Sequence, residues 1–331
     1  MTSETPSSGS PEAPLAGADG AEALGLGLFA IDTGYMRARF DAVHLLVHRG
    51  EAMLVDTGTH HSVPRVLAAI AALGIPRDAV RAVALTHVHL DHAGGAGALM
   101  SALPSASLLV HPRGARHMID PARLWAGTVA VYGEASARAL YGELTPIDAR
   151  RVRVMHDGDG FAIGGRRVRF IDAPGHALHH HLLLDEATGA MFTGDTFGIG
   201  YRELIGPDGP MVFPSSTPVQ FDPQAMNASL QRILALRPTC VLLTHYSRHD
   251  AVAFMAEQLL TLVEAYRQLG ERSRALAGGA RTRTLEDGMR TLLFEAAHRH
   301  RPGLDDEALE TLLGDDIRLN AAGLQSWLER A

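Results

Sequence analysis

The chain has 331 residues, 46% of them apolar, which is enough for a large buried core; 30 Lys and Arg against 37 Asp and Glu leave a net charge of −7. With no long basic block, that balance argues against a nucleic-acid partner held by its phosphates and points to a small-molecule substrate. The single cysteine, Cys240, excludes a disulfide framework and a Cys-rich zinc module, so any metal must be held by His and carboxylate, and Cys240 itself is expected as a small buried residue.

Residues 1 to about 22 are rich in Ser, Pro, Gly, Ala and acids and read as a disordered tail. The start carries no basic segment leading into an apolar one, and no stretch supplies the ~18 apolar residues of a membrane span, so a cytoplasmic location away from membranes is expected. From Leu26 the runs LGLFAIDTGY, FDAVHLLVHRG and AMLVDTG follow one another as strands of a meander. Val63, Val66, Leu67, Ile70 and Leu73 then recur at helical spacing before the stop at Gly74, and AVALT returns to a buried strand ending at Thr86. After the short strand SLLVH, residues 113–149 read as a helical insertion. Strands resume in RRVRFIDAPGH, HHHLLLDEATG and AMFTGDT; a loop rich in Gly and Pro covers 198–223, and a helix from about Pro223 to Leu236 leads into CVLLTH. Asp250 to Leu269 forms an amphipathic helix, 272–284 is a break, and 284–331 is again helical.

The chemistry concentrates where the buried strand ending at Thr86 emerges, in His87-Val88-His89-Leu90-Asp91-His92. Alternate residues of an extended segment point the same way, so His87 and His89 can hold one metal, while Asp91 and His92 turn over it to hold a second. Gly94-Gly95 immediately afterwards lets the backbone bend away into a helix.

THVHLDHAGG resembles the HxHxDH signature of the metallo-β-lactamase superfamily, over roughly residues 25–250. The resemblance implies an α/β fold, a four-layer αββα sandwich spanning residues 23–270, here with the 113–149 insertion and a C-terminal helical extension over 271–331. It assigns His176 in DAPGH, Asp195 in FTGD and His245 in LLTH as further ligands, and Asp56 in LVDTG as a support that binds no metal. His87, His89 and His176 are then expected on one ion, Asp91, His92 and His245 on the other, with Asp195 between them. Two divalent ions, zinc by default with iron or manganese as alternatives, would bring a bridging water to hydroxide near neutral pH and polarise a substrate carbonyl. Asp91 is further expected to orient that hydroxide and carry a proton to the leaving group.

Substrate is less legible. Ester, thioester or lactone cleavage is the expectation, by similarity to glyoxalase II and lactonases. The first ligand pair is HxH, not the HxE of diiron flavoproteins, and no flavin-binding domain follows. Two alternatives stay open: a persulfide dioxygenase using one mononuclear iron on the same fold, and a silent metal-binding module that assembles through its C-terminal helices. Tyr201 and Tyr246, close in sequence to Asp195 and His245, are expected as oxyanion donors. Trp125, Tyr132 and Tyr141 are candidates for a lid, His60 and His61 for substrate contact, and one or more of His179, His180 and His181 for packing beside the ligands. His111, His117, His249, His298 and His300 are assigned structural or solvated roles, and the C-terminal helices are a candidate homodimer interface.

Overall fold

The structure is a computed structural model that describes Gly17 and residues 19–330. Most of the expected tail lies outside the described residues; its last two positions, Ala21 and Glu22, open a strand, β1 (Ala21–Gly25). β1 is followed by β2 (Leu28–Asp32), β3 (Ala42–His48), β4 (Glu51–Val55), β5 (Val80–Ala84), β6 (Ser107–Val110) and β7 (Val152–Val154), which form one sheet in that spatial order. The first four strands are an antiparallel meander, whereas β4 to β7 are parallel. Parallel neighbours need crossovers. These are α1 (Val63–Ala72), then α2 (Leu90–Ala93) with α3 (Ala96–Ala102), then the insertion, α4 (Pro112–Ile119), α5 (Ala122–Tyr132) and α6 (Glu134–Tyr141).

The second sheet holds β8 (Gly160–Ile163), β9 (Arg166–Asp172), β10 (His181–Asp185) and β11 (Ala190–Phe192). A two-residue hairpin, β12 (Ile205–Gly206) with β13 (Gly209–Pro210), precedes α7 (Pro223–Leu236), which returns the chain to β14 (Cys240–Leu243), parallel to β11, and β15 (Ser247–His249). α7 starts where Pro223 can occupy the first turn without a missing donor, and the Asp222 carboxylate accepts the N–H groups of Gln224 and Ala225. Three helices close the chain: α8 (Val252–Ser273), α9 (Gly278–His300) and α10 (Asp306–Arg330).

Strand alternation sorts the apolar residues into layers. In β2, Leu28 and Ala30 face the second sheet while Phe29 and Ile31 face α1; in β10, Leu183 faces inward while Leu182 and Leu184 face the C-terminal helices. Three cores result, one between the sheets and one under each helical layer, which is the expected αββα sandwich. Cys240 is buried in the inter-sheet core, as expected of a free cysteine. The short strands β1, β7, β8 and β15 escaped the sequence patterning, and the expected break at 272–284 is shorter, because α9 begins at Gly278. The 198–223 stretch buries Tyr201, Met211, Val212, Phe213 and Phe221 against α8 and its neighbours, so its Gly and Pro residues shape a packed segment. Among the described residues no helix is long and apolar enough to cross a membrane.

Candidate metal centre

His87, His176, Asp195 and His245 all follow the C-terminal ends of strands, β5, β9, β11 and β14, so the two sheets deliver them to one edge of the sandwich. The edge is tied across the sheets. The His181 N–H donates to the Thr86 carbonyl at 2.7 Å, and the Ala42 N–H to the Thr244 carbonyl at 2.9 Å. Gly94 and Gly95 keep ordinary helical dihedrals, so their role differs from the expected bend. A Cβ on Gly95 would sit 2.9 Å from the carbonyl oxygens of both Thr57 and Thr59, so the pair is needed for close approach to the β4 end.

Three imidazoles meet at one focus. His87 Nε2 lies 2.9 Å from His89 Nδ1, and His176 Nε2 lies 3.2 Å and 3.0 Å from those two atoms. Such separations match the edges of a ligand set about 2.0–2.1 Å from a single ion. His176 donates its Nδ1–H to the Ser215 carbonyl at 3.0 Å, which leaves its Nε2 lone pair aimed at the focus. Burial pushes all three imidazoles below their ordinary pKa, His89 to about 3, and so keeps them in the neutral form that metal ligation needs.

Beside them stands a second set. His92 Nε2 lies 3.2 Å from Asp195 Oδ1 and 3.7 Å from Asp91 Oδ2; His245 Nε2 lies 3.7 Å and 3.5 Å from the same oxygens. The other Asp195 oxygen, Oδ2, lies 3.6 Å from His176 Nε2, so this carboxylate spans both sets. His92 Nε2 and Asp195 Oδ1 are buried polar atoms without a hydrogen-bond partner of good geometry, a combination that a cation satisfies. Burial opposes ionisation of Asp91 and Asp195, yet the surrounding imidazoles hold both carboxyls below their usual range. Burial likewise opposes charge on His92 and His245, and the carboxylates outweigh it, raising His245 to about 9. Two carboxylates in so dry a place call for positive charge, and these donors, all N and O, suit divalent ions.

Each ligand group has a partner behind it. Asp56 accepts from His92 Nδ1 at 2.8 Å, from the Thr86 N–H at 2.8 Å, and from the Thr86 and Thr244 hydroxyls, without itself joining a metal-ligand group. His245 donates Nδ1–H to the Phe40 carbonyl at 2.9 Å. Within the His run the three residues diverge. His180 Nε2 accepts the Asp195 N–H at 3.2 Å and its ring stacks on His87 with centroids 4.8 Å apart; His179 stacks on His87 from the cavity side; His181 turns away to pack on His111 and Phe170. The carbonyls of Phe40 and Ser215 carried no sequence signal, because any residue type presents one.

The centre opens into a cavity of about 1050 Å³, lined by Asp91, Asp195 and His245 at its floor and by residues of α5, α6 and α10 around it. Tyr132 and Tyr141 of the expected lid reach it, whereas Trp125 does not, its ring being covered by the Arg138 guanidinium. His60 and His61 do not line it; His60 packs under Gly142, and His61 faces the Arg138 carbonyl. His117, expected to be structural or solvated, is among the wall residues.

The two expected oxyanion donors need correction. Tyr246 is buried in the inter-sheet core: it sits in the tight turn between β14 and β15, where its ring joins the core side chains while His245 faces the site. Tyr201 does line the cavity, but its hydroxyl donates to the Asp316 carboxylate of α10 at 3.2 Å, and Arg37 covers its ring. Burial raises the Asp316 carboxyl to about 7.

The family model described as the metallo-β-lactamase superfamily matches residues 37–245, a span that holds every one of these ligand groups. The chain belongs to the metallo-β-lactamase superfamily. Within this superfamily it is 29% identical over 168 residues to the metallo-β-lactamase fold-containing protein ST1585 of Sulfurisphaera tokodaii, covering 49% of this chain and 59% of that one. A crystal structure of ST1585 superposes with a TM-score of 0.63 at 23% identity over 90% of this chain and 98% of the other. A hydroxyacylglutathione hydrolase of Aeromonas hydrophila is 30% identical over 195 residues, 59% of this chain and 56% of the relative. An atrochrysone carboxyl ACP thioesterase of Aspergillus fumigatus is 29% identical over 49% of this chain and 42% of its own length. The chain thus spans less than two thirds of the length of these curated relatives.

Proposed function

We propose that this protein is a hydrolase of a small carbonyl compound, an ester, thioester or lactone, working with two divalent ions for which zinc is the first candidate and iron or manganese the others. The observation that carries the reading is the Asp195 carboxylate, with Oδ2 facing the His87–His89–His176 set and Oδ1 facing the Asp91–His92–His245 set. Two relatives support hydrolysis, one named a hydroxyacylglutathione hydrolase and another an ACP thioesterase. When bound, a pair of divalent ions supplies Lewis acidity for the carbonyl oxygen and lowers the pKa of water toward neutrality.

The protein supplies the rest. Asp91 has its side chain partly open to the cavity and its carboxyl held ionised by His92 and His245, so it can accept a proton from the attacking water. It returns that proton to the leaving oxygen or sulfur as the acyl bond breaks. Asp56 keeps His92 oriented, and His180 keeps Asp195 oriented, which fixes the reacting geometry before substrate arrives.

Metal analysis joined to kinetics of Asp91→Asn tests the reading. About two metal ions per chain and a fall in kcat of about a hundredfold or more are expected. Full activity in a metal-replete Asp91→Asn protein removes the proton role. One iron per chain with oxygen uptake on glutathione persulfide replaces hydrolysis by sulfur dioxygenation, and failure across an ester, lactone and thioester panel leaves a metal-binding module.

A further inference from the structure

α5 carries Leu124, Trp125, Val129, Val131 and Tyr132 in eleven residues, yet none of its residues is buried. α1, of similar length, buries four. Of those α5 side chains only Leu124 packs against the core under the first sheet, which leaves the rest of the helix's apolar surface for something else. Together with Leu124, that surface forms one wall of the cavity, through Val131 and Tyr132. Around the mouth two further segments contribute apolar groups that water otherwise reaches: Met36 after β2 and Val219 before α7 are exposed at 54% and 57%, as Val131 of α5 itself is at 53%. Leu312 and Leu319 of α10 add to this mostly apolar lining, which Arg37, Arg123, Asp315, Asp316 and Arg318 interrupt, and the cavity reaches Asp91 and Asp195. Its volume of about 1050 Å³ stands at the upper end of ligand cavities, larger than a small hydroxy acid fills.

We propose that this cavity is an acyl-chain site, taking carbonyl compounds whose acyl group is a long aliphatic chain, with the carbonyl at the metal centre and the chain against α5. The inference rests on the hydrolase reading for what happens to the carbonyl, though not for the binding of the chain. Gly127 marks the α5 wall. It lines the cavity, lies inside α5, and a Cβ there meets nothing within 4 Å, so a large side chain enters the cavity without straining the helix.

The test compares the full metal-replete chain with Gly127→Ala and Gly127→Leu in two measurements. The first is kcat/KM for p-nitrophenyl esters from acetate to dodecanoate. The second, independent of turnover, is displacement of an apolar fluorescent dye by alkanoic acids of the same lengths. The native protein should gain up to about fourfold in kcat/KM per methylene until the cavity is full. Gly127→Leu should cut the ratio of long-chain to short-chain kcat/KM by about tenfold or more while its circular dichroism and melting temperature hold, and Gly127→Ala, with the smaller side chain, should cut it less. Dye displacement that rises with chain length and is lost in Gly127→Leu, without cleavage of any ester, upholds the acyl-chain site and removes the hydrolase reading. Ester cleavage indifferent to chain length, with length-independent displacement, overturns the acyl-chain site and leaves the hydrolase reading standing. A solution dimer that covers α5, with the same indifference, overturns it in favour of a second copy as the occupant.

Discussion

Asn320 of α10 accepts the Ser216 backbone N–H at 2.6 Å, and the carbonyl of the adjacent Ser215 is the group that receives His176 Nδ1–H. The C-terminal extension therefore reaches one side of the metal centre through a single loop. It reaches the other through Asp316, which holds Tyr201; the Tyr201 ring stacks on Phe40 at 5.3 Å, and the Phe40 carbonyl receives His245 Nδ1–H. One histidine of each ligand set is thus oriented by a carbonyl that leans on α10.

Asn320→Ala should leave the buried Ser216 N–H without its acceptor, at a cost of about 1–3 kcal/mol, while the Ser216 hydroxyl keeps the Asn320 backbone carbonyl. Urea unfolding reads that loss. A chelator competition should at the same time show weaker retention of metal, because the Ser215 carbonyl is no longer held in place; a destabilised protein with native metal affinity would separate α10 from the centre.

Asp56→Asn keeps the size of the side chain and tolerates the positive φ of 60° at this position, so it isolates charge from backbone strain. One of its two acceptor oxygens becomes a donor facing His92 and the hydroxyls of Thr86 and Thr244. Metal affinity should fall about ten- to a hundredfold, measured by the same competition, with the melting temperature lowered in the apo protein as well. Native affinity would mean that His92 is oriented by its other neighbours.

Tyr201→Phe should lower kcat by less than about tenfold, since the hydroxyl is engaged by Asp316, whereas loss of an oxyanion donor costs about a hundred- to a thousandfold. The comparison needs only steady-state kinetics at saturating substrate. A loss in the larger range would show that the hydroxyl leaves Asp316 for the substrate during turnover.

His249 is buried away from the centre in β15, and burial, followed by the nearby Arg202 charge, pushes its imidazole down to about 4. A folded pKa below the unfolded value of about 6.5 contributes stability that is present above pH 6.5 and is lost as pH falls toward 4. That contribution amounts to something on the order of 2–3 kcal/mol between pH 7 and pH 4. The urea midpoint of His249→Gln should therefore fall less steeply than the native one across this window; parallel curves would show that His249 does not titrate on unfolding.

The residues that would hold metal were legible because their chemistry is local. His87, His89, Asp91 and His92 lie within one turn of chain after a buried strand, and apolar runs followed by DTG, PGH, TGD and LTH mark where the other strands end. The αββα layering was legible only through the resemblance of THVHLDHAGG to the superfamily signature, because strands such as β3 and β10 are buried on both faces and carry no alternation to read. Other features were decided only by tertiary structure. Which of two neighbouring side chains faces the site depends on how the turn after β14 is folded, so Tyr246 went into the core beside a site-facing His245. Backbone carbonyls such as those of Phe40 and Ser215 orient histidines, and a sequence does not distinguish one carbonyl from another. The cavity is shared among α5, α6 and α10, the last far from the other two in the chain, each reading alone as an ordinary helix. Periodicity records that a helix has an apolar side, and only packing determines that most of the apolar side of α5 borders the cavity, with Leu124 alone packed against the core.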